Sequence, residues 1–91
     1  MPTTKSAAKR VRQNEKKRVR NKRVRTRAKN IKKKLLNVIE EGDVERAEEL
    51  FREACGVLQK AAAKGVLHKN KVARDQSRLE RRLNALKAES E

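Results

Sequence analysis

Apolar residues recur along this chain at helical spacing, in three blocks. The first is Val24, Ala28, Ile31, Leu35, Val38 and Ile39. Steps of four and three place these residues on one stripe of an amphipathic helix. The second is Val44, Ala47, Leu50, Phe51, Ala54, Val57, Leu58, Ala61 and Ala62, and the third Val72, Ala73, Leu79, Leu83 and Leu86. The breaks between blocks hold two of the three glycines, Gly42 and Gly65, and the one proline is at position 2. β-Branched alternation never persists and no Asn-Gly or Asp-Gly turn is present, so nothing reads as a strand or hairpin. The first helix is expected to start between Thr4 and Ala7, capped by Thr3, Thr4 or Ser6, and to end at Glu41 before Gly42. Asp43 is the expected N-cap of the second, with Glu45 in its first turn where the helix dipole favours an anion. Lys64-Gly65 reads as its C-terminal end, and Gly56 inside it points either to a close helix contact or to a weak spot. A third helix follows the loop 65–67, starting between His68 and Lys71 and running to about Ala88, while Val66 and Leu67 turn over the core. Short connections make neighbouring helices antiparallel. The expected fold is all-α: one up-down-up three-helix bundle over residues 24–88, a helical extension over 1–23 that overhangs it, and a tail at 89–91.

The extension is where the apolar pattern fails. Before Val24 only Ala7, Ala8, Val11 and Val19 are apolar within the helix, and none lies between Arg12 and Arg18. A helix that is polar all round needs stabilisation from outside itself. The charge of the chain sits in the same place. Residues 1–34 carry sixteen Lys/Arg and one acid, Glu15, whereas 35–91 carry eleven of each sign, so the formal +15 of the 91-residue chain belongs to its first third. The remainder is itself divided, −5 over 35–58 and +5 over 59–91. Cations that neutralise phosphates release condensed counterions, so this segment calls for a polyanion. Lys9, Arg10, Arg12, Lys16, Lys17, Arg18, Arg20, Lys22, Arg23, Arg25, Arg27 and Lys29 project in most directions around a helix. That arrangement suits insertion between nucleic-acid elements better than contact with one flat surface. Like charges four residues apart repel, so the extension should fray without its partner. Gln13, Asn14, Asn21 and Asn30 are within reach of base edges or ribose hydroxyls. A second, smaller basic patch comprises His68, Lys69, Asn70, Lys71 and Arg74 at a helix N-terminus, which attracts phosphate, followed by Arg78, Arg81 and Arg82. His68 serves equally well as an N-cap with no role in binding.

Composition removes other classes. One Phe and no Trp or Tyr excludes binders that stack bases on exposed aromatics, and Phe51 belongs to the core stripe. Cys55 cannot form an internal disulfide and borders apolar residues, as a small core or boundary residue does. His68 and Cys55 are too few for a zinc site. No phosphate-cradling glycine loop and no paired carboxylates in an apolar setting occur, so no catalytic residue, metal or cofactor is expected. The acids Glu40 to Glu53 form a solvated helix face, or one that turns away from RNA by repulsion. No apolar run is long enough to span a membrane, and the basic N-terminus leads into no secretory apolar region. A mitochondrial transit segment shares its basic, acid-poor character. A basic zipper needs several heptads beyond the basic region, and Gly42-Asp43 ends the helix after about two. Nonspecific DNA compaction is the better rival to RNA binding, because phosphate contacts alone do not separate the two.

Two stretches carry a more specific signal. The first is Lys5-Ser6-Ala7-Ala8-Lys9-Arg10-Val11-Arg12-Gln13-Asn14-Glu15 with Asn21-Lys22. The second is Ala63-Lys64-Gly65-Val66-Leu67-His68-Lys69-Asn70-Lys71-Val72-Ala73-Arg74 with Ser77-Arg78-Leu79. With both in register, nearly the whole chain resembles the bacterial small-subunit ribosomal protein number twenty family. The resemblance implies a three-helix bundle that binds small-subunit (16S) ribosomal RNA early in assembly, on the ribosome; the single Cys55 suits a reducing cytoplasm, and neither a membrane nor a homo-oligomer is expected. It places RNA contacts on Lys5, Ser6, Lys9, Arg10, Arg12, Gln13 and Asn21, and on His68, Lys69, Asn70, Lys71, Arg74, Ser77 and Arg78. Asp75-Gln76 stands where relatives commonly have basic residues, which removes the expectation of a phosphate contact there.

Overall fold

The computed structural model describes residues 5–90, with the backbone alone at positions 5 and 90. Three helices, α1 (Lys5–Glu41), α2 (Val44–Ala63) and α3 (Lys69–Ser90), account for nearly all of them, and no strand occurs among the described residues. The helix ends at the two turns have local causes. Gly42 turns the chain out of α1 at φ 81°, a conformation that side chains disfavour. Asp43 then caps α2, its carboxylate accepting from the Arg46 N–H at 3.2 Å. Gly65 at φ 75° ends α2, with the Gly65 N–H donating to the Ala62 carbonyl and the Val66 N–H to the Ala61 carbonyl, both at 3.0 Å. This pair of bonds is the Schellman arrangement, which satisfies the carbonyls left over at a helix end.

The core lies where the stripes meet. Ala28, Ile31, Leu35 and Val38 of α1 pack with Ala47, Leu50, Ala54 and Leu58 of α2 and with Val72, Leu79, Leu83 and Leu86 of α3. Leu35 and Leu58 are the two large side chains sealed completely. Phe51 and Leu67 are half-buried against this cluster. On α2, Ala47, Ala54 and Ala61 are all fully buried and lie seven residues apart, so one edge of the helix is flush. Small residues let helix axes come closer, and α1 and α2 share the most extensive contact of the three pairs.

Several local expectations change. Gly56 is exposed, and a Cβ placed there would meet nothing within 4 Å. The close contact it seemed to offer is supplied by the alanines, and Gly56 is a weak spot in the helix. Ala73 is exposed. At 100° per residue it sits about 120° from Leu79, off the stripe that Val72, Leu83 and Leu86 share. Ser6 lies inside α1, one residue past its first position, so it is no N-cap; Thr3 and Thr4 fall outside the described residues. The helical assignment of α3 reaches Ser90, so positions 89 and 90 of the expected tail are helical, and position 91 is outside the described residues.

The molecule measures 66 × 21 × 16 Å. Helix α1 is 37 residues long, against 20 for α2 and 22 for α3. Its first nineteen residues, about 28 Å of helix at 1.5 Å per residue, overhang the bundle as an arm.

Candidate nucleic-acid interface

Every residue from Lys9 to Arg20 is exposed, including Val11 at 58% and Val19 at 40%. The arm therefore presents its cations on all sides and has no face committed to the bundle. Lys22, Arg23, Arg25, Arg27 and Lys29 continue this exposed set past the point where Val24 and Ala28 turn inward. Ser6 and Gln13 are exposed, and the Lys5 side chain lies outside the described residues. Asn21 is half-buried, and its Oδ1 is shielded without a hydrogen-bond partner, which leaves the amide with an unmet bond.

One contact relieves the charge crowding that the sequence predicts for the arm. The Arg18 guanidinium donates to both Glu15 oxygens, at 2.6 and 3.2 Å. These hydrogen bonds, and then the opposite charges themselves, hold the Glu15 carboxyl below its ordinary value and raise Arg18. The pair is open to solvent, so water screens it strongly. It removes one of the arm's cations from full availability and gives the helix a local brace.

The second patch begins at the start of α3. His68 is the N-cap: its Nδ1 accepts from the Asn70 N–H at 3.1 Å, and its carbonyl accepts from the Val72 N–H at 3.1 Å. This supports the capping reading of His68, and it leaves the other ring nitrogen pointing away from the cap bond. Lys69, Asn70, Lys71, Arg74, Ser77 and Arg78 are exposed, and Arg74, Ser77, Arg78 and Arg81 line one continuous shallow face of α3.

The fold joins the two patches. Because α2 runs back along α1, α3 starts beside the root of the arm. The Lys32 Nζ donates to the Asp75 Oδ2 at 3.0 Å across 43 residues of sequence. Asp75, the departure noted above, thus faces α1. The start of α3 and the arm form one basic end. The opposite end, at the Gly42 turn, gathers Glu40, Glu41, Asp43 and Glu45, all exposed. Lys87 offsets part of that charge by pairing with Glu48 at 3.0 Å.

Lys33, which the sequence reading did not single out, comes together with Lys29, Arg78 and Arg82 in a groove between α1 and α3. A signal was present: each helix carries a cation pair four residues apart beside its apolar stripe.

Burial, and then the charge of Glu80, push the Cys55 thiol above its ordinary value, away from thiolate chemistry. Among the described residues no three His, Cys, Asp or Glu side chains come together as metal ligands. No helix among them is long and apolar enough to cross a membrane.

Comparison with known proteins agrees with this geometry. The family described as Ribosomal protein S20 matches residues 2–84. The small ribosomal subunit protein bS20 of Kosmotoga olearia is 52% identical over 86 residues, covering 93% of this chain and 88% of the relative. That of Thermomicrobium roseum is 46% identical over 86 residues, covering 94% and 87%. That of Shouchella clausii is 44% identical over 88 residues, covering 97% of this chain and the whole relative. With similarity of this extent along a three-helix chain with one basic end, the chain belongs to the ribosomal protein S20 family.

Proposed function

We propose that this chain is a structural protein of the small ribosomal subunit, not an enzyme, and that it binds the subunit's ribosomal RNA directly and holds RNA elements together during assembly. One observation carries the reading: a single helix is packed in a protein core along one half and surrounded by cations along the other. Such an arm fits between RNA elements, with phosphates on several sides. Lys5, Lys9, Arg10, Arg12, Lys16, Lys17, Arg18, Arg20, Lys22, Arg23, Arg25, Arg27 and Lys29 neutralise phosphates, while Ser6, Gln13 and Asn21 take hydroxyls or base edges. His68 to Arg74, with Ser77 and Arg78, grip RNA at the arm's root. Residues 24–88 act as the folded base that fixes the arm's direction, and the acidic end faces away from RNA. The protein works as a monomer on cytoplasmic ribosomes, since a net charge of +15 opposes self-association. Membership of a ribosomal family gives no support to DNA compaction.

Sedimentation of cell extract tests this. The protein is expected to migrate with the small ribosomal subunit and to leave it in a high-salt wash, as phosphate binding requires. Migration with chromosomal DNA, or at the top of the gradient in low salt, would overturn the proposal.

A further inference from the structure

Along the arm's outer side the cations thin out into a strip. Ala8, Val11, Glu15 and Val19 fall within a sector about 80° wide at 100° per residue, and no Lys or Arg between positions 8 and 19 shares it. Val11 and Val19 are the two large apolar side chains left exposed among the described residues. Glu15, between them, is the one acid of residues 1–34. The strip points about 180° away from the direction of Ala28, Ile31 and Leu35, which enter the core. Side chains frame two shallow hollows beside it. Arg12, Glu15, Lys16 and Val19 are among the residues around one, and Val19, Lys22, Arg23 and Thr26 among those around the other. Each quartet has the spacing of a coiled-coil hole, and the two lie one heptad apart.

We propose that this strip docks an acidic amphipathic helix of another protein, packed against it as a short coiled coil, with Glu15 setting the register. Phosphate does not suit the strip: Glu15 repels it, and the valines gain nothing from a charged group. The edges name the partner's charge. Arg12, Lys16 and Arg23 run along one edge and Arg18 and Arg25 along the other, all exposed. Acids that flank an apolar stripe on the partner meet both edges, as flanking charges do in a coiled coil. The partner's aliphatic side chains enter the two hollows, and a basic residue faces Glu15. A single polar residue in an apolar seam fixes register at some cost in stability. A second copy of this chain fits poorly, because its strip is edged by the same cations.

The probe is a synthetic peptide of about three heptads, with leucine at the core positions, glutamate on both flanks and lysine at the central core position. Fluorescence anisotropy of the labelled peptide against the full chain reads its binding without RNA, so its outcome stands apart from the function proposed above. The peptide is expected to bind about tenfold or more tightly than one of the same composition with its leucines dispersed around the helix. Val11→Ser with Val19→Ser keeps the charge and has little effect on helix propensity. It is expected to erase that preference, while affinity for small-subunit ribosomal RNA stays within about twofold. Glu15→Lys is expected to reverse the choice between the lysine-centred peptide and a glutamate-centred one, by about fivefold in each direction. Equal binding of the patterned and dispersed peptides would reduce the attraction to charge and overturn the proposal. A loss of about tenfold in ribosomal RNA affinity in the valine variant would assign the strip to RNA instead. A wild-type dimer in sedimentation equilibrium that the valine variant abolishes would assign it to a second copy. An unchanged choice of peptide by Glu15→Lys would remove the register role.

Discussion

Helix α1 is two helices in one. From Val24 to Glu41 it has an apolar stripe, four buried residues and two neighbouring helices to pack against. From Lys9 to Arg20 it has the same backbone geometry and every side chain exposed. The first half-helix is stabilised by burial, which is the usual source of helical stability in proteins. The second relies on local propensity, one Glu15–Arg18 brace and whatever binds it. If the arm binds RNA as proposed, its order is part of its binding energy. The bundle folds by excluding water, whereas on the proposed function the arm is completed by phosphate. The two meet at the root, where α3 begins, and that junction is where stability and recognition share residues.

Variants can separate the two halves. The largest effect is expected from deleting residues 1–23. Loss of ten cations should weaken binding to ribosomal RNA by about a thousandfold or more at moderate salt. The slope of log affinity against log salt should fall from roughly −7 to −9, as for about ten neutralised phosphates, to less than half of that. Bundle melting should move by less than about 5 °C. A large drop in Tm would mean that the arm stabilises the bundle after all. The mirror-image variant is Leu58→Ala, in a position that is fully buried. It should cost about 2–5 kcal/mol of unfolding free energy, measured by denaturant titration, and should weaken RNA binding only as far as it unfolds the base of the arm.

Smaller effects probe the helix ends and the weak spot. Asp43→Ala removes the cap bond to Arg46 and should destabilise the bundle by about 1 kcal/mol. Gly56→Ala should stabilise it by roughly 0.5–1 kcal/mol, because the position is helical, exposed and open. A destabilised Gly56→Ala protein would show that the glycine serves a contact made elsewhere. The smallest effect belongs to the arm's brace. Glu15 is held below its ordinary carboxylate value of 4.5 by Arg18. Its contribution to arm helicity is therefore present at neutral pH and is lost as pH falls through its folded-state value. Circular dichroism in acid titration should show a small loss in wild type that is absent in Glu15→Gln.

Much of this was legible in the residues. Stripes at steps of three and four, with Gly42 and Gly65 between them, define three helices, and Asp43 marks a cap by its side-chain chemistry alone. The break in the stripe before Val24 places the end of the core. What the sequence could not carry were facts that depend on the facing surface. Gly56 reads the same whether another helix or water lies outside it. Ala73 looks like core by type, and its angle from Leu79 puts it outside. Asp75 reads as a missing cation, while the fold shows it answering Lys32 across 43 residues. The union of the two basic patches depends on the same tertiary fact: α2 carries the chain back along α1, so the start of α3 falls at the arm's root.

On the proposed function the arm owes its order to RNA and the bundle does not. Amide hydrogen exchange resolved along the chain, with and without small-subunit ribosomal RNA, tests it most directly. Amides of residues 9–20 should exchange close to the free-peptide rate in the isolated protein and slow by about a hundredfold or more in the complex, while those around Leu35 and Leu58 stay protected in both. An arm protected in the isolated protein to the same degree as the bundle, or unprotected in the complex, would contradict the account.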